Sequence, residues 1–315
     1  MKLFQLNLSG VFVSVLLIVL TGCPKEVNSQ QDPVFTQYLT NLLSIQPAYA
    51  GITGVLTVSA LSRAQWLGFE GAPNTNTFTI HLPMKSFNVG LGLSILNDKW
   101  GPILQNGLYV DYAYRIVLRP RQYLALGIKA GFNTYHARLT DLELNDQLDP
   151  SFAQNVDFRM LPNVGIGALW HSDIFFLGVS MPKLFKSNII DDSDNKVYRE
   201  VLHFYGMAAY VFTLADNVKL KPTFLYRWSE QTPSYVDFGG NILLYERVWF
   251  GATYRLGNSY ALSFQFNVNN QLRFGYSFDL TTFHENMVNS GTHEFTINYE
   301  FQSSKRYRRY VTRYF

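Results

Sequence analysis

The chain has 315 residues and a formal net charge of +3, with 47% hydrophobic, 16% charged and 16% aromatic residues. This composition excludes a disordered, collagen-like or disulfide-stapled protein, and the single cysteine, Cys23, excludes a disulfide or a cysteine-built metal site within one chain. Charged residues are fewer than the about 25% of an average soluble domain. The small net charge gives no reason to propose nucleic acid as a partner.

The first feature in the chain is an apolar run from Val11 to Leu20 that follows Lys2. It is too short for a spanning helix and predicts a signal peptide, so the protein is exported. Two processing sites remain open. The run 20–23 resembles a bacterial lipobox, which would end the signal at residue 22 and lipidate Cys23, whereas small residues at 27–29 would end the signal at residue 29.

Residues 30–54 precede the first predicted strand and differ from it in pattern. Prolines interrupt any strand ladder here, while apolar side chains supply enough surface for packing, notably Phe35, Tyr38 and Tyr49. We predict a periplasmic or plug segment with a function of its own. The alternative is a disordered leader.

From residue 55 to residue 302 the hydrophobic pattern has a period of two. For example, Leu124, Leu126 and Ile128 alternate with Gly127 and Lys129. About fourteen such segments of about ten residues follow one another, and strands of that length span a bilayer, whereas globular strands cluster near 5 or 6 residues. We therefore predict an all-β fold, a transmembrane antiparallel β-barrel of about 14 strands with an N-terminal non-strand segment. A soluble β-sandwich is the alternative.

Alternation also assigns faces, and it predicts lipid outside and a polar lumen inside. An arginine at outward Leu126 should therefore impair assembly, while one at inward Asn133 should be tolerated. The inward charges have mixed signs, which fits either a pore lining or a lumen closed by internal ion pairs or by a folded-in segment.

Every second predicted connection is short, whereas the connections 137–158, 182–202 and 281–292 are long. In bacterial barrels the short turns face the periplasm. Both termini are then expected on the periplasmic side, including a basic, aromatic tail at 303–315. The tail is either part of the interfacial girdle or a docking peptide for an acidic partner.

Several spaced motifs resemble one known family, the PorP/SprF family of the type IX secretion system. The motifs are Asp32-Pro33-x-Phe35-x-Gln37-Tyr38, Pro47-Ala48-Tyr49-Ala50-Gly51 and Arg63-x-Gln65-Trp66-x-Gly68-Phe69-x-Gly71-Ala72-Pro73. Gln46 departs from the asparagine that the family usually has before Pro47, and the lipobox is also unusual.

The resemblance implies an integral outer-membrane component of the type IX secretion and gliding machinery. Its implied partners are outer-membrane lipid, other secretion or gliding proteins, and secreted adhesin-like cargo that it helps to export or anchor at the surface. An outer-membrane channel for small or hydrophobic molecules is the alternative function.

No catalytic or metal-binding chemistry is indicated. The six histidines lie in different segments without a catalytic signature, and the Asp191-Asp192-x-Asp194 cluster lacks the glycine and terminal glutamate of a calcium loop. We expect neither an enzyme nor a bound cofactor.

The candidate partner-binding residues are aromatic. They are Trp66 and Phe69, in a predicted outer loop from Arg63 to Thr75, together with Phe35, Tyr38 and Tyr49 of the N-terminal segment. The alternative for Trp66 and Phe69 is that they only anchor the barrel rim in the membrane interface.

Overall fold

The computed structural model describes residues 33–84, 88–140, 155–186, 188–190, 196–230, 233–281, 291–301 and 314–315. The predicted signal peptide, the possible lipidation site Cys23, the aspartates 191–194 and most of the tail at 303–315 lie outside the described residues.

Long antiparallel strands account for most of the described chain. They are β1 Leu56–Ala64, β2 Asn74–Pro83, β3 Val89–Trp100, β4 Ile103–Arg119, β5 Gln122–Ala137, β6 Val156–Ser172, β7 Phe175–Met181, β8 Asn188–Ile190, β9 Lys196–Arg199, β10 His203–Tyr210, β11 Phe212–Ala215, β12 Val218–Ser229, β13 Tyr235–Leu244, β14 Val248–Arg255, β15 Ser259–Asn267, β16 Leu272–Thr281 and β17 Thr292–Phe301. Within these ranges no helix is long and apolar enough to cross a membrane.

The strands close into a barrel with 14 wall positions. Each wall strand pairs with its neighbours in the chain, β1 pairs with β17, and β10 continues into β11 to fill one position between β7 and β12. Strands β8 and β9 form a separate hairpin in the connection from β7 to β10. The predicted antiparallel barrel, preceded by a non-strand segment, is confirmed.

The two faces of the wall follow the alternation of the sequence. On β5, Leu126 and Ile128 are 47% and 55% exposed on the outside, whereas Lys129 is buried inside. Successive strand residues point to opposite faces, so one register fixes the environment of every side chain on the strand. The outside of the barrel is consequently an apolar band.

The connections differ between the two ends of the barrel. At one end, here called the turn end, β4 and β5 are joined by 120–121 and β6 and β7 by 173–174. At the other, the loop end, lie the connections 65–73, 138–155 and 182–202. Two connections at the loop end are tight, because Gly101 and Gly257 adopt positive φ angles of 51° and 68°.

The segment before β1 lies inside the barrel. It forms two 3₁₀ helices, Tyr38–Ser44 and Pro47–Tyr49, which contact β1–β3 and β4–β6 respectively. Between residues 35 and 55 only Leu39 and Ser44 are more than marginally exposed. We refer to residues 33–54 as the plug.

Candidate functional site

The plug runs from the loop end of the lumen to the turn end. At its start, the backbone N–H groups of Thr36 and Gln37 donate to the Glu294 carboxylate at 3.1 and 2.7 Å. Near its end, the Gly51 N–H donates to His81 Nδ1 at 3.2 Å. Glu294 lies near the loop end of β17 and His81 near the turn end of β2. Pro33 thus lies toward the loop end, although the sequence suggested that the N-terminal segment starts from the turn end.

A buried charge cluster holds the start of the plug. Arg63 bridges Asp279 at 2.8 Å and Glu294 at 2.9 Å, with all three side chains almost fully buried. The Thr36 hydroxyl donates to the same Asp279 carboxylate. The sequence predicted Arg63 at the start of the outer loop. In the structure it is the penultimate residue of β1, and its side chain points inward.

Further along, wall side chains bind the plug through its backbone. Lys129 Nζ donates to the Leu43 carbonyl at 3.2 Å and also pairs with Asp111 at 3.0 Å. Arg115 donates to the Gly51 carbonyl at 2.7 Å. The Leu43 carbonyl lies in the last turn of the first 3₁₀ helix, and the Gly51 carbonyl, which also accepts from the Gly54 N–H at 3.2 Å, lies just beyond the second.

Gln46 is the residue at which the sequence departs from the PorP/SprF pattern, and it is fully buried. Its Nε2 donates to the carbonyls of Ala168 and Val179 at 3.2 and 3.1 Å, and its Oε1 accepts from the Ala48 N–H. Ala168 and Val179 face each other on β6 and β7. The extra methylene of glutamine therefore reaches the wall here.

Glycines on the inner face make room for the plug. A Cβ at Gly90 would lie 2.0 Å from the Ala50 oxygen, and one at Gly127 would lie 2.2 Å from the Ala48 nitrogen. Both distances are far shorter than any van der Waals contact. The inner wall is thus shaped to fit the backbone of the plug, and the plug is a built-in part of the barrel.

Replacing Gly127 with valine should dislodge the plug. The clash is with backbone rather than with a flexible side chain, so the cost should reach or exceed the about 1–3 kcal/mol of ordinary overpacking. A protease added to the purified barrel should then cleave within the plug, as seen by mass spectrometry. The control is Gly240→Val, where a Cβ meets nothing within 4 Å. An uncleaved plug in the Gly127 variant would contradict this seating.

The lumen charges form internal pairs. Besides the pairs already described, Arg255 binds Asp237 at 2.7 Å and Lys183 binds Glu200 at 3.2 Å. A partly open pocket of about 80 Å³ remains between plug and wall. The sequence left open whether the inward charges line a pore or belong to a closed lumen. The described residues fit a closed lumen.

Across the described part of the chain, no group of three His, Cys, Asp or Glu side chains converges on a point where a metal ion could bind. Many polar groups of the lumen instead bind the plug or one another, among them Arg63, Arg115 and Lys129.

Three of the five candidate partner-binding residues belong to the plug. Phe35, Tyr38 and Tyr49 are buried in the core between plug and wall. Burial raises the pKa of the Tyr38 and Tyr49 hydroxyls well above its usual range. In the seated plug, these neutral aromatic groups have no access to a partner, and they stabilise the closed state.

The other two candidates lie together in the loop between β1 and β2. Phe69 is 60% exposed and Trp66 is partly buried, and the backbone of Trp66 adopts a positive φ of 46°. Sequence reasoning missed Leu67, which is 52% exposed beside them. The signal that the sequence offered was a leucine beside Trp66 in a glycine-rich loop. Among the described residues, the structure shows no hydrogen bond or ring contact between Trp66 or Phe69 and the three aromatic residues of the plug.

The loop is held on both sides. The Leu67 N–H donates to the Gly291 carbonyl at 3.2 Å, and the Gly101 N–H donates to the Gly71 carbonyl at 2.8 Å. It therefore bridges the connections on either side of it, and the backbone that carries its exposed apolar side chains is anchored at both edges.

The family described as "Type IX secretion system membrane protein PorP/SprF" matches residues 27–299. The chain belongs to the PorP/SprF family. This confirms the family resemblance seen in the spaced motifs and makes the chain an outer-membrane component of the type IX secretion system. Among curated proteins, none matches the chain.

Solved outer-membrane barrels resemble this PorP/SprF protein in fold. The CymD monoaromatic hydrocarbon channel matches with a TM-score of 0.51 at 7% identity, over 84% of this chain and 93% of that chain. Omp33 of Acinetobacter baumannii matches with a TM-score of 0.47 at 11% identity, over 80% and 100% of the two chains. A Pseudomonas aeruginosa FadL homologue matches with a TM-score of 0.43 at 11% identity, over 78% and 90%.

The family and the fold together place the protein in the outer membrane as an integral barrel. The apolar outer band then faces lipid. Because short turns of bacterial barrels face the periplasm, we expect the turn end on the periplasmic side and the loop end, with residues 65–73, which we call the rim loop, on the outer side.

Proposed function

We propose that this protein is a non-enzymatic, closed barrel that presents its rim loop to proteins handled by the type IX secretion system, and so helps to export or surface-anchor cognate cargo. The observation that carries the proposal is the plug. A lumen filled by a bonded segment leaves the rim, rather than a pore, as the working surface.

The rim loop has the properties of a contact surface. Interface hot spots are enriched in tryptophan, and interfaces as a whole are enriched in aromatic residues such as phenylalanine. Trp66, Leu67 and Phe69 lie within one turn of backbone, and bonds to Gly291 and Gly101 on either side reduce the entropy lost on binding.

The partners follow from the family. Adhesin-like secreted cargo would meet the loop end, other secretion or gliding proteins would meet either end, and lipid covers the outer band. We propose that the mature chain begins either at Gln30 or at a lipidated Cys23. Intact-mass measurement of the purified protein distinguishes the two forms.

The alternative is a channel for small or hydrophobic molecules. The likeness to the CymD channel is one of fold, since the two sequences are 7% identical. A channel would require the plug to leave its seat, against its side-chain bonds and the steric fit of the wall glycines.

Substituting the rim loop tests the proposed function. In Trp66→Ala and Phe69→Ala cells, the heat-modifiable folded barrel should reach its normal level while the cognate cargo at the cell surface falls at least tenfold. The control is Leu256→Ala, an exposed apolar residue in the tight connection between β14 and β15 at the same end of the barrel. Normal surface cargo in both loop variants would show that these residues only anchor the rim.

A further inference from the structure

Tyr314 and Phe315 lie at the periplasmic mouth of the barrel, far in sequence from the wall that they contact. Lys221 Nζ donates to the Tyr314 carbonyl at 3.0 Å and lies 5.8 Å from the centre of the Phe315 ring. The same ammonium lies 4.1 Å from the Trp249 ring centre. Lys221 and Trp249 are near the turn ends of β12 and β14.

The Phe315 ring enters the lumen. It meets the Phe176 ring edge-on, with centroids 4.9 Å apart and an interplanar angle of 86°. The ring also packs against the core cluster that the plug forms with the wall, and it lines one small cavity together with Leu39. Edge-on aromatic pairs of this kind are favourable beyond the area that they bury.

Tyr314 is held by a second set of contacts. Its hydroxyl donates to Glu246 Oε1 at 3.4 Å, and its ring lies 5.1 Å from Lys219 Nζ. Lys219 also forms an ion pair with Glu246. Glu246 and Tyr245 both have positive φ angles, 56° and 52°, in the turn between β13 and β14. Such backbone is costly for residues other than glycine, asparagine or aspartate, so these contacts stabilise a strained turn.

We propose that the periplasmic mouth contains a binding site for an adjacent Tyr–Phe pair, and that Tyr314 and Phe315 occupy it in cis as a clasp. The site offers the Phe176 ring for the phenylalanine, the Lys221 ammonium for the backbone carbonyl, and a carboxylate for the phenol. Because Phe315 packs against the core cluster that contains Tyr38, Leu42 and Leu43, the clasp keeps the plug helix Tyr38–Ser44 seated from the periplasmic side.

Photo-crosslinking tests the occupant of the site. With p-benzoylphenylalanine at Phe176, illumination of purified barrel should link β7 to the peptide that contains Phe315, as identified by mass spectrometry. The same group at Leu177, the neighbouring outward residue, should not form this link, because Leu177 is exposed on the lipid face. A link from Phe176 to another protein or to a second copy, or no link at all, would overturn the cis assignment.

Hydrogen exchange tests what the clasp does. In Phe315→Ala, amide exchange in Tyr38–Ser44 should accelerate at least tenfold, while exchange at Ala48, whose N–H donates to Gln46 Oε1 in the helix that packs against β4–β6, should not change. Lys221→Met removes the bond to Tyr314 from the wall side and should have the same effect even if the Phe315 variant does not assemble. Unchanged exchange in Tyr38–Ser44 in every assembled variant would show that the plug needs no clasp.

Discussion

Arg63→Met should lower the free energy of unfolding by about 3–5 kcal/mol, the usual result of removing one partner from a buried ion pair. The substitution leaves Asp279 and Glu294 buried and without the cation that bridges them at 2.8 and 2.9 Å. Because Glu294 also holds the Thr36 and Gln37 amides, the start of the plug should loosen as well. Urea titration of the barrel in detergent measures the change.

The matched control is Arg121→Met. Arg121 pairs with Asp173 at 3.5 Å at the solvent-exposed turn end, where an ion pair contributes about 0–1 kcal/mol. Adding Asp279→Asn and Glu294→Gln to the Arg63 variant should restore part of the stability, since the uncompensated charges are then gone. Equal losses for Arg63→Met and Arg121→Met would contradict the buried-cluster assignment.

Leu126→Arg should reduce the yield of folded barrel severely. Leu126 faces lipid, and an arginine there costs about 2–4 kcal/mol near the bilayer midplane. Heat modifiability of the outer-membrane fraction reports the folded yield. Leu256→Arg, at an exposed outer turn, introduces the same charge outside the membrane and should assemble normally.

The structure changes the expected effect on assembly of Asn133→Arg, the substitution on the inner face. The sequence predicted a polar lumen in which arginine at this position is tolerated. Asn133 is in fact fully buried and donates to Glu200, so a larger cation should also destabilise the barrel. If Leu126→Arg assembled as well as Leu256→Arg, the outward assignment itself would be wrong.

Strand pairing was predictable from sequence because it depends on a local pattern. Leu126 and Gly127 are adjacent, yet one faces lipid and the other faces the plug. The alternation of side chains along a strand predicts this difference from the local sequence alone. Antiparallel connection of neighbours then closes the barrel. The loop lengths predict the direction of the barrel in the membrane, although the connections at Gly101 and Gly257 on the loop end are tight.

The site was less predictable because its contacts join residues far apart in the chain. Thr36 bonds Glu294, which is 258 residues away in sequence. A glycine such as Gly90 shows where a side chain is missing, but not that Ala50 fills the space. For the same reason Phe35, Tyr38 and Tyr49 could be recognised as packing residues, while the surface that they pack against could not.

The ion conductance of the purified barrel tests most directly whether the plug closes the lumen. Purified wild-type protein inserted in a planar lipid bilayer should show no steady conductance, whereas Gly127→Val, with its plug displaced, should show discrete steps. Steady, porin-like conductance from the wild-type barrel would contradict a plugged scaffold and favour the channel function.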